Sequence, residues 1–219
     1  MMEAWGKPGQ LEIVLGQLVN LLRDGEPVRM SKRTGEMITF EELIDMVGVD
    51  ATRYLMLSRS SDQMIDFDID VAVKQDSSNP VYYVQYAHAR ICSILRKAAG
   101  EAQAAAAEAG EISMDELAAM VVPIDADLSV LTHESELALM RKMDDFSSLI
   151  ALAARDRAPF RLTHYAQEIA GLFHQFYTNC HVLVEDEQLQ TARLALVDAT
   201  RILLALTLSL LGVSAPAKM

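Results

Sequence analysis

Apolar side chains recur every three or four residues along most of the second half of the chain, the spacing that lines one face of an α-helix. Val81, Val84, His88, Ile91, Leu95 and Ala98 form one such stripe, and Leu162, Ala166, Ile169, Phe173, Phe176 and Cys180 form another. The pattern predicts helices over 80–99, 134–155, 159–183 and 187–211. Local signals support these limits. Asn79 followed by Pro80 reads as an N-cap with proline at the first helical position. Gly212, with Pro216 beyond it, stops the last helix.

The first third reads differently. Residues 11–22 (LEIVLGQLVNLL) are apolar and partly alternating, and Asp24-Gly25 and then Pro27-Val28-Arg29-Met30 follow, which predicts a β-hairpin. The first strand is apolar enough to be buried on both faces, as in an α/β sheet. Few other strands are evident to build that sheet. Thr39 and Glu42 read as a capping box for a short helix that stops at Gly48. Asp50 reads as the cap of a second helix through Leu57. Residues 58–70 are polar and acidic. Asp66, Asp68 and Asp70 alternate there, but the Gly and the distal Glu of a calcium loop are missing. They are read as caps of the next helix. Residues 98–110 are rich in Ala and Glu, a helix extension or a linker, and 111–130 carry no clear pattern. The expected fold is mainly α, a helical bundle over 80–219 preceded by the tail of an α/β domain.

Composition narrows the chemistry. Hydrophobic residues make up 51% of 219, enough for a large core. Net charge is −12, and residues 1–79 and 80–219 each carry half of it. That argues against a general nucleic-acid binder, so any RNA contact must use a local basic or aromatic patch. Cys92 and Cys180 sit within apolar patterns and read as inert core residues. No paired Cys/His spacing suggests a metal site. Two cysteines and no apolar leader behind a basic start imply a reduced, cytoplasmic setting. Residues 194–211 resemble a membrane span, but Asp198 and Arg201 lie inside it, each costing about 2.5–3.5 kcal/mol near a bilayer centre. A buried helix with an i,i+3 ion pair is the expected form, with no membrane partner.

Two further stripes invite function. Tyr83, Tyr86 and Arg90 share a face opposite the apolar stripe of their helix. His174, Tyr177 and His181 form an offset stripe on the helix that begins near Pro159. Packing against a second neighbour is one reading of both. The other is a ring-and-cation surface that stacks unpaired bases. The strongest local signal is Val28-Arg29-Met30-Ser31-Lys32-Arg33-Thr34-Gly35, three basic residues in five after a strand, suited to phosphate.

Arg29-Met30-Ser31-Lys32-Arg33 resembles the KMSKS signature of class I aminoacyl-tRNA synthetases, with Arg for the first Lys and for the last Ser. The surrounding stretches, LGQLVNLLRDGEPVRMSKRTG, DFDID, NPVYYVQYAHARICSILRKA, HQFYTNCHVL and LLGVSAP, resemble the arginyl-tRNA synthetases. Asp198-Ala199-Thr200-Arg201 resembles the DALR signature, with Thr in place of Leu. The resemblance covers residues 11–219. It implies a ligase that activates arginine with ATP and Mg²⁺ by in-line attack of the amino-acid carboxylate on the α-phosphate, and then charges tRNA(Arg). Lys32 would stabilise the departing pyrophosphate, supported by Arg29, Ser31 and Arg33, and Met30 and Lys32 would contact ATP.

The family's HIGH signature is absent from the chain, so the chain is expected to be the C-terminal part of a longer enzyme. On its own it would bind no cofactor and charge no tRNA. The implied division is 1–35 as the end of a Rossmann-like catalytic domain, 36–79 as a stem-contact connector and 80–219 as a DALR-type anticodon-binding bundle. Tyr83, Tyr86, Arg90, Tyr177 and Met219 match the family's pocket for the middle base of the anticodon. Self-association through the edge of the truncated sheet is also expected. The competing reading is a non-catalytic helical module for protein or RNA.

Overall fold

A computed structural model describes residues 13–28 and 38–219. A small sheet and two short helices lead into a bundle. Strand β1 (Val19–Arg23) turns at Asp24-Gly25 into β2 (Glu26–Pro27). Asp24 and Gly25 take φ of 53° and 74°, the left-handed pair that a two-residue hairpin with right-handed strand twist requires. The predicted hairpin is therefore present but short. Residues 13–18 are not a strand, and Ile13, Val14, Leu15 and Leu18 are exposed rather than buried on both faces.

The reason lies in β3 (Ile65–Asp68), which pairs in parallel with β1 from Val19↔Ile65 to Leu22↔Asp68. Among the described residues this ladder covers only four positions, with a further bond from Gln17 N–H to Ser61 O at 2.8 Å, so residues 13–18 are not part of a strand. In sequence, residues 65–68 read as part of an acidic capping stretch, and the structure corrects this. Their alternation is that of a strand: Phe67 is buried, while Asp66 faces outward and accepts from the Asn20 amide at 2.9 Å. Asp68 does cap, accepting from the N–H groups of Asp70 and Val71 at the start of α3 (Ile69–Val73).

Helix α1 (Phe40–Val47) carries the expected capping box of Thr39 and Glu42. Helix α2 (Val49–Met56) does not use Asp50 as a cap. Its N-cap is Gly48, without a side-chain bond, and the Asp50 carboxylate instead reaches Gln85 and Ser214.

The bundle is built on α4 (Pro80–Ala99), capped by Asn79, whose side-chain oxygen accepts from Val81 N–H at 3.2 Å. Gly100, at φ 88°, separates it from α5 (Glu101–Glu108). Helix α6 (Met114–Val121) follows, with a capping box of Ser113 and Glu116. Next come α7 (Glu134–Asp144), α8 (Phe146–Asp156), α9 (Phe160–Asn179) and α10 (Glu187–Leu211). Helix α4 packs against α6, α9 and α10. Val84, Ile91, Leu95, Ile169, Phe173 and Phe176 are fully buried, so the two apolar stripes meet in one core.

Two limits differ from expectation. Residues 134–155 form two helices rather than one. Asp145 is the C-cap of α7 and the N-cap of α8, and the Tyr165 hydroxyl, from α9, donates to Lys142 O at 2.9 Å beside this break. Helix α9 also stops at Asn179, because Cys180 is extended at φ −126°. Helix α10 is long and apolar enough to cross a membrane by length and composition. Here it packs on α4 and α9, and Arg201 pairs with Asp198 and with Asp115 of α6, both at 2.7 Å.

Tyr165→Phe keeps the ring and removes the hydroxyl bonded beside the α7–α8 break, and should cost about 1 kcal/mol. Ile91→Ala, in the closed core, should cost about 2–5 kcal/mol. Ile202→Ala, on the exposed side of α10, should stay within about 0.5 kcal/mol. Urea unfolding midpoints of the three variants check this order.

Candidate nucleic-acid interface

The far side of α4 meets α9 through rings. Tyr83 lies 5.0 Å from the His174 ring, centroid to centroid, and Tyr86 lies 6.1 Å from it. Tyr82 stacks on Tyr86 at 6.1 Å, one helical turn away. Arg90 joins the set from the next turn. Its Nη1 donates to the Tyr86 hydroxyl at 2.9 Å, and its guanidinium lies 4.6 Å from the Tyr177 ring centroid. Helical spacing on two facing helices therefore brings Tyr83, Tyr86, Arg90, His174 and Tyr177 together. Tyr83 and Tyr177 are half-buried between the helices, while Tyr86 is exposed. The two sequence readings thus divide the stripe: two rings pack and one faces solvent.

Two clefts flank Tyr86. One, of about 550 Å³, is lined by Tyr86, Arg90, Arg96, Lys97, Lys218 and Met219 among others. The second, of about 400 Å³, is lined by Gln75, Ser77, Tyr82, Tyr83, Tyr86 and His174. Met219 is about half exposed, at 51%. The first cleft gathers two arginines and two lysines in a chain of net charge −12, and Glu101 and Glu108 offset part of that, Glu108 lying 3.9 Å from Arg96 and 3.5 Å from Lys218. It is the local basic patch that the charge argument requires.

Protonation states follow from burial. Burial works against the Arg90 charge, but the Tyr86 and Tyr177 hydroxyls outweigh it and hold the guanidinium above its ordinary value. Burial pushes the His174 imidazole below its ordinary value, and the Arg90 charge pushes it further. Both effects favour the neutral form of this ring, which lines the second cleft beside Tyr83 and Tyr86. His88 is also lowered by burial, and its Nδ1 must donate to Pro216 O, 2.9 Å away. Burial pushes the Cys92 thiol up to about 11, so it is an unreactive thiol.

Not every predicted residue arrives here. His181 lies beyond the end of α9 and is exposed. Its carbonyl accepts from Arg193 at 2.6 Å. Arg29, Met30, Ser31, Lys32 and Arg33 lie outside the described residues. Among the described residues no group of three or more His, Cys, Asp or Glu could hold a metal. Arg96, Lys97 and Lys218 were missed in sequence, although Arg96 and Lys97 are a basic pair in the last turn of a helix that already carried the rings.

A family model described as the DALR anticodon binding domain matches residues 84–219. The chain belongs to this family. The DALR signature residues have a structural role: Asp198 and Arg201 pair with each other, and Arg201 ties α10 to α6. The departure at Thr200 is satisfied locally, its hydroxyl donating to Leu196 O at 2.7 Å.

Relatives extend the likeness beyond the DALR domain. The chain is 49% identical over 216 residues to an arginine–tRNA ligase of Heliobacterium modesticaldum, covering 97% of this chain and 36% of that protein. It is 48% identical to the arginine–tRNA ligase of Desulforamulus reducens, covering 100% and 36%. The chain thus spans little more than a third of these relatives' length. Among solved structures, a Campylobacter jejuni protein described as an arginyl-tRNA synthetase superposes with a TM-score of 0.81 at 32% identity, covering 100% of this chain and 43% of that one. Arginyl-tRNA synthetase of Thermus thermophilus gives 0.65 at 28% identity, covering 93% and 35%.

The two lowered histidines set a pH dependence. The unfolded chain binds protons at His88 and His174 near their ordinary value of 6.5, and the folded chain binds them only at lower pH. Their contribution to stability is therefore full above 6.5 and is lost as pH falls below it. The urea midpoint should drop between pH 7.5 and 5.5, and His174→Gln should drop less than the wild type over the same interval.

Proposed function

We propose that residues 80–219 read the anticodon loop of tRNA(Arg), and that the complete protein is an ATP-dependent arginine–tRNA ligase of the cytoplasm. The observation that carries this reading is the convergence of Tyr86, Arg90 and Met219 on one basic cleft. The family match and the relatives' names support it. All six arginine codons have G in the middle, so every arginine anticodon has C there. One cleft for one unstacked cytosine then serves the whole set. Tyr86 supplies a face for that base, with Tyr83 and Tyr177 as the packed wall behind it. Arg90 is held in place by two tyrosines, and Lys97 and Lys218 attract the backbone phosphates.

In this proposal residues 1–35 end the catalytic domain and 36–79 connect it to the bundle. Arginine and ATP bind the complete enzyme. The arginine carboxylate attacks the α-phosphate, and pyrophosphate leaves against Lys32, supported by Arg29, Ser31 and Arg33, with Met30 beside ATP. Arg29 in place of a lysine keeps the charge but spreads it over a planar group.

Binding of an arginine anticodon stem-loop, with only the middle C exchanged in the control, tests the reading. Tyr86→Ala should weaken the C-containing loop by about five- to 150-fold, the worth of roughly 1–3 kcal/mol of stacking. Lys97→Ala should weaken both loops alike and flatten the salt dependence by about 0.7 in the logarithmic slope. Equal affinity of the two loops for the wild-type chain rejects anticodon reading by this domain.

A further inference from the structure

We propose that Asp50 is a positioning residue for the cleft, acting through Ser214 and Gln85 on the tail that carries Met219. This rests on the anticodon reading above. Residues 212–219 contain no helix or strand beyond the end of α10, so their backbone groups need partners from elsewhere. Side chains of α2 and α4 supply them. Arg53 Nε donates to Leu211 O at 3.1 Å and Gln85 Nε2 to Ser214 O at 3.0 Å. His88 Nδ1 donates to Pro216 O at 2.9 Å, and Arg96 Nη2 to Ala217 O at 3.0 Å. Gln85, His88 and Arg96 lie within an arc of about 80° on α4, at roughly 100° per residue. The tail is strapped along this arc, and its last residue, Met219, lines the same cleft as Tyr86.

Asp50 sits where the strap meets the connector. One carboxylate oxygen accepts from Ser214 N–H at 3.1 Å. The other accepts from the Gln85 amide at 2.7 Å and from the Ser214 hydroxyl. Ser214 is thereby gripped through its N–H, its carbonyl and its hydroxyl. Its side chain is exposed and fills no core, so the grip is directional rather than packing. Gly212 leaves the strap room at its start. A Cβ there would lie 2.6 Å from the Arg53 guanidinium, and φ is +67°. The same carboxylate is on α2, in the segment that follows the basic loop. One side chain thus places a wall of the base cleft relative to the connector.

Methyl NMR of the full 219-residue chain, labelled at its 12 methionines, tests the anchoring. Deleting Met219 identifies its signal. In Asp50→Ala the Met219 signal should shift and sharpen part of the way towards the unstructured position, since His88 and Arg96 still hold Pro216 and Ala217, while the core methionine signals stay in place. Asp50→Asn, which keeps an acceptor for Ser214 N–H, should fall between. The same chains are then titrated with the two stem-loops. Asp50→Ala should lower the preference for the middle C about tenfold, and in the chain lacking Met219 it should lower it no further. An unmoved Met219 signal overturns the proposal, as does a loss of preference that multiplies with that of the deletion. If no version binds a stem-loop, the anticodon reading falls and takes the functional half of this proposal with it, and the methyl signal alone decides the anchoring.

Discussion

The burial of α4 between α6, α9 and α10 is the constraint on which the other features depend. A helix has only about 360° of surface, and α4 divides it three ways. Val84, Ile91 and Leu95 go to the common core. Gln85, His88 and Arg96 hold the tail. Tyr83, Tyr86 and Arg90 form the ring surface against α9. The core face fixes the rotation of the helix, and that rotation aims the other two. A slip of one residue, about 100°, would bury the rings or free the tail.

Charge explains why the cleft is built as it is. A chain with an excess of twelve negative charges repels a phosphate backbone at long range. The cleft answers with concentrated local charge and with rings, whose attraction to bases does not depend on net charge. In the proposed function, holding Arg90 on the Tyr177 ring and the Tyr86 hydroxyl would also spare it the entropy of ordering on RNA binding.

Much of this was legible in the residues alone. Helical spacing at Val81–Leu95 and Leu162–Phe176 identified the core faces, and the Asp24-Gly25 pair identified the hairpin, because period and turn chemistry act locally. Where long-range partners decide, pattern failed. The strand at Ile65–Asp68 looked like acidic loop because only Phe67 points inward from it. The division of α7 from α8 lies where a hydroxyl arrives from another helix, at Tyr165, and no local signal announces that contact. Asp50 looked like a helix cap, since nothing local to it shows that Ser214, 164 residues on, will claim the carboxylate. The rings of the cleft and Arg90 were visible as periodic stripes, but Arg96, Lys97 and Lys218 were not, because Lys97 and Lys218 meet only when the tail folds back.

The tail strap has a temporal consequence. Chains emerge from the ribosome N-terminus first, and domains begin to fold as they emerge. Helices α4 to α9 can gather while residues 212–219 are still inside the ribosome, but the strap pairs Arg53 with Leu211 and Asp50 with Ser214, separations of 158 and 164 residues. The last wall of the cleft is thus the last piece of the domain to be synthesised. A nascent or prematurely stopped chain carries the rings without that wall.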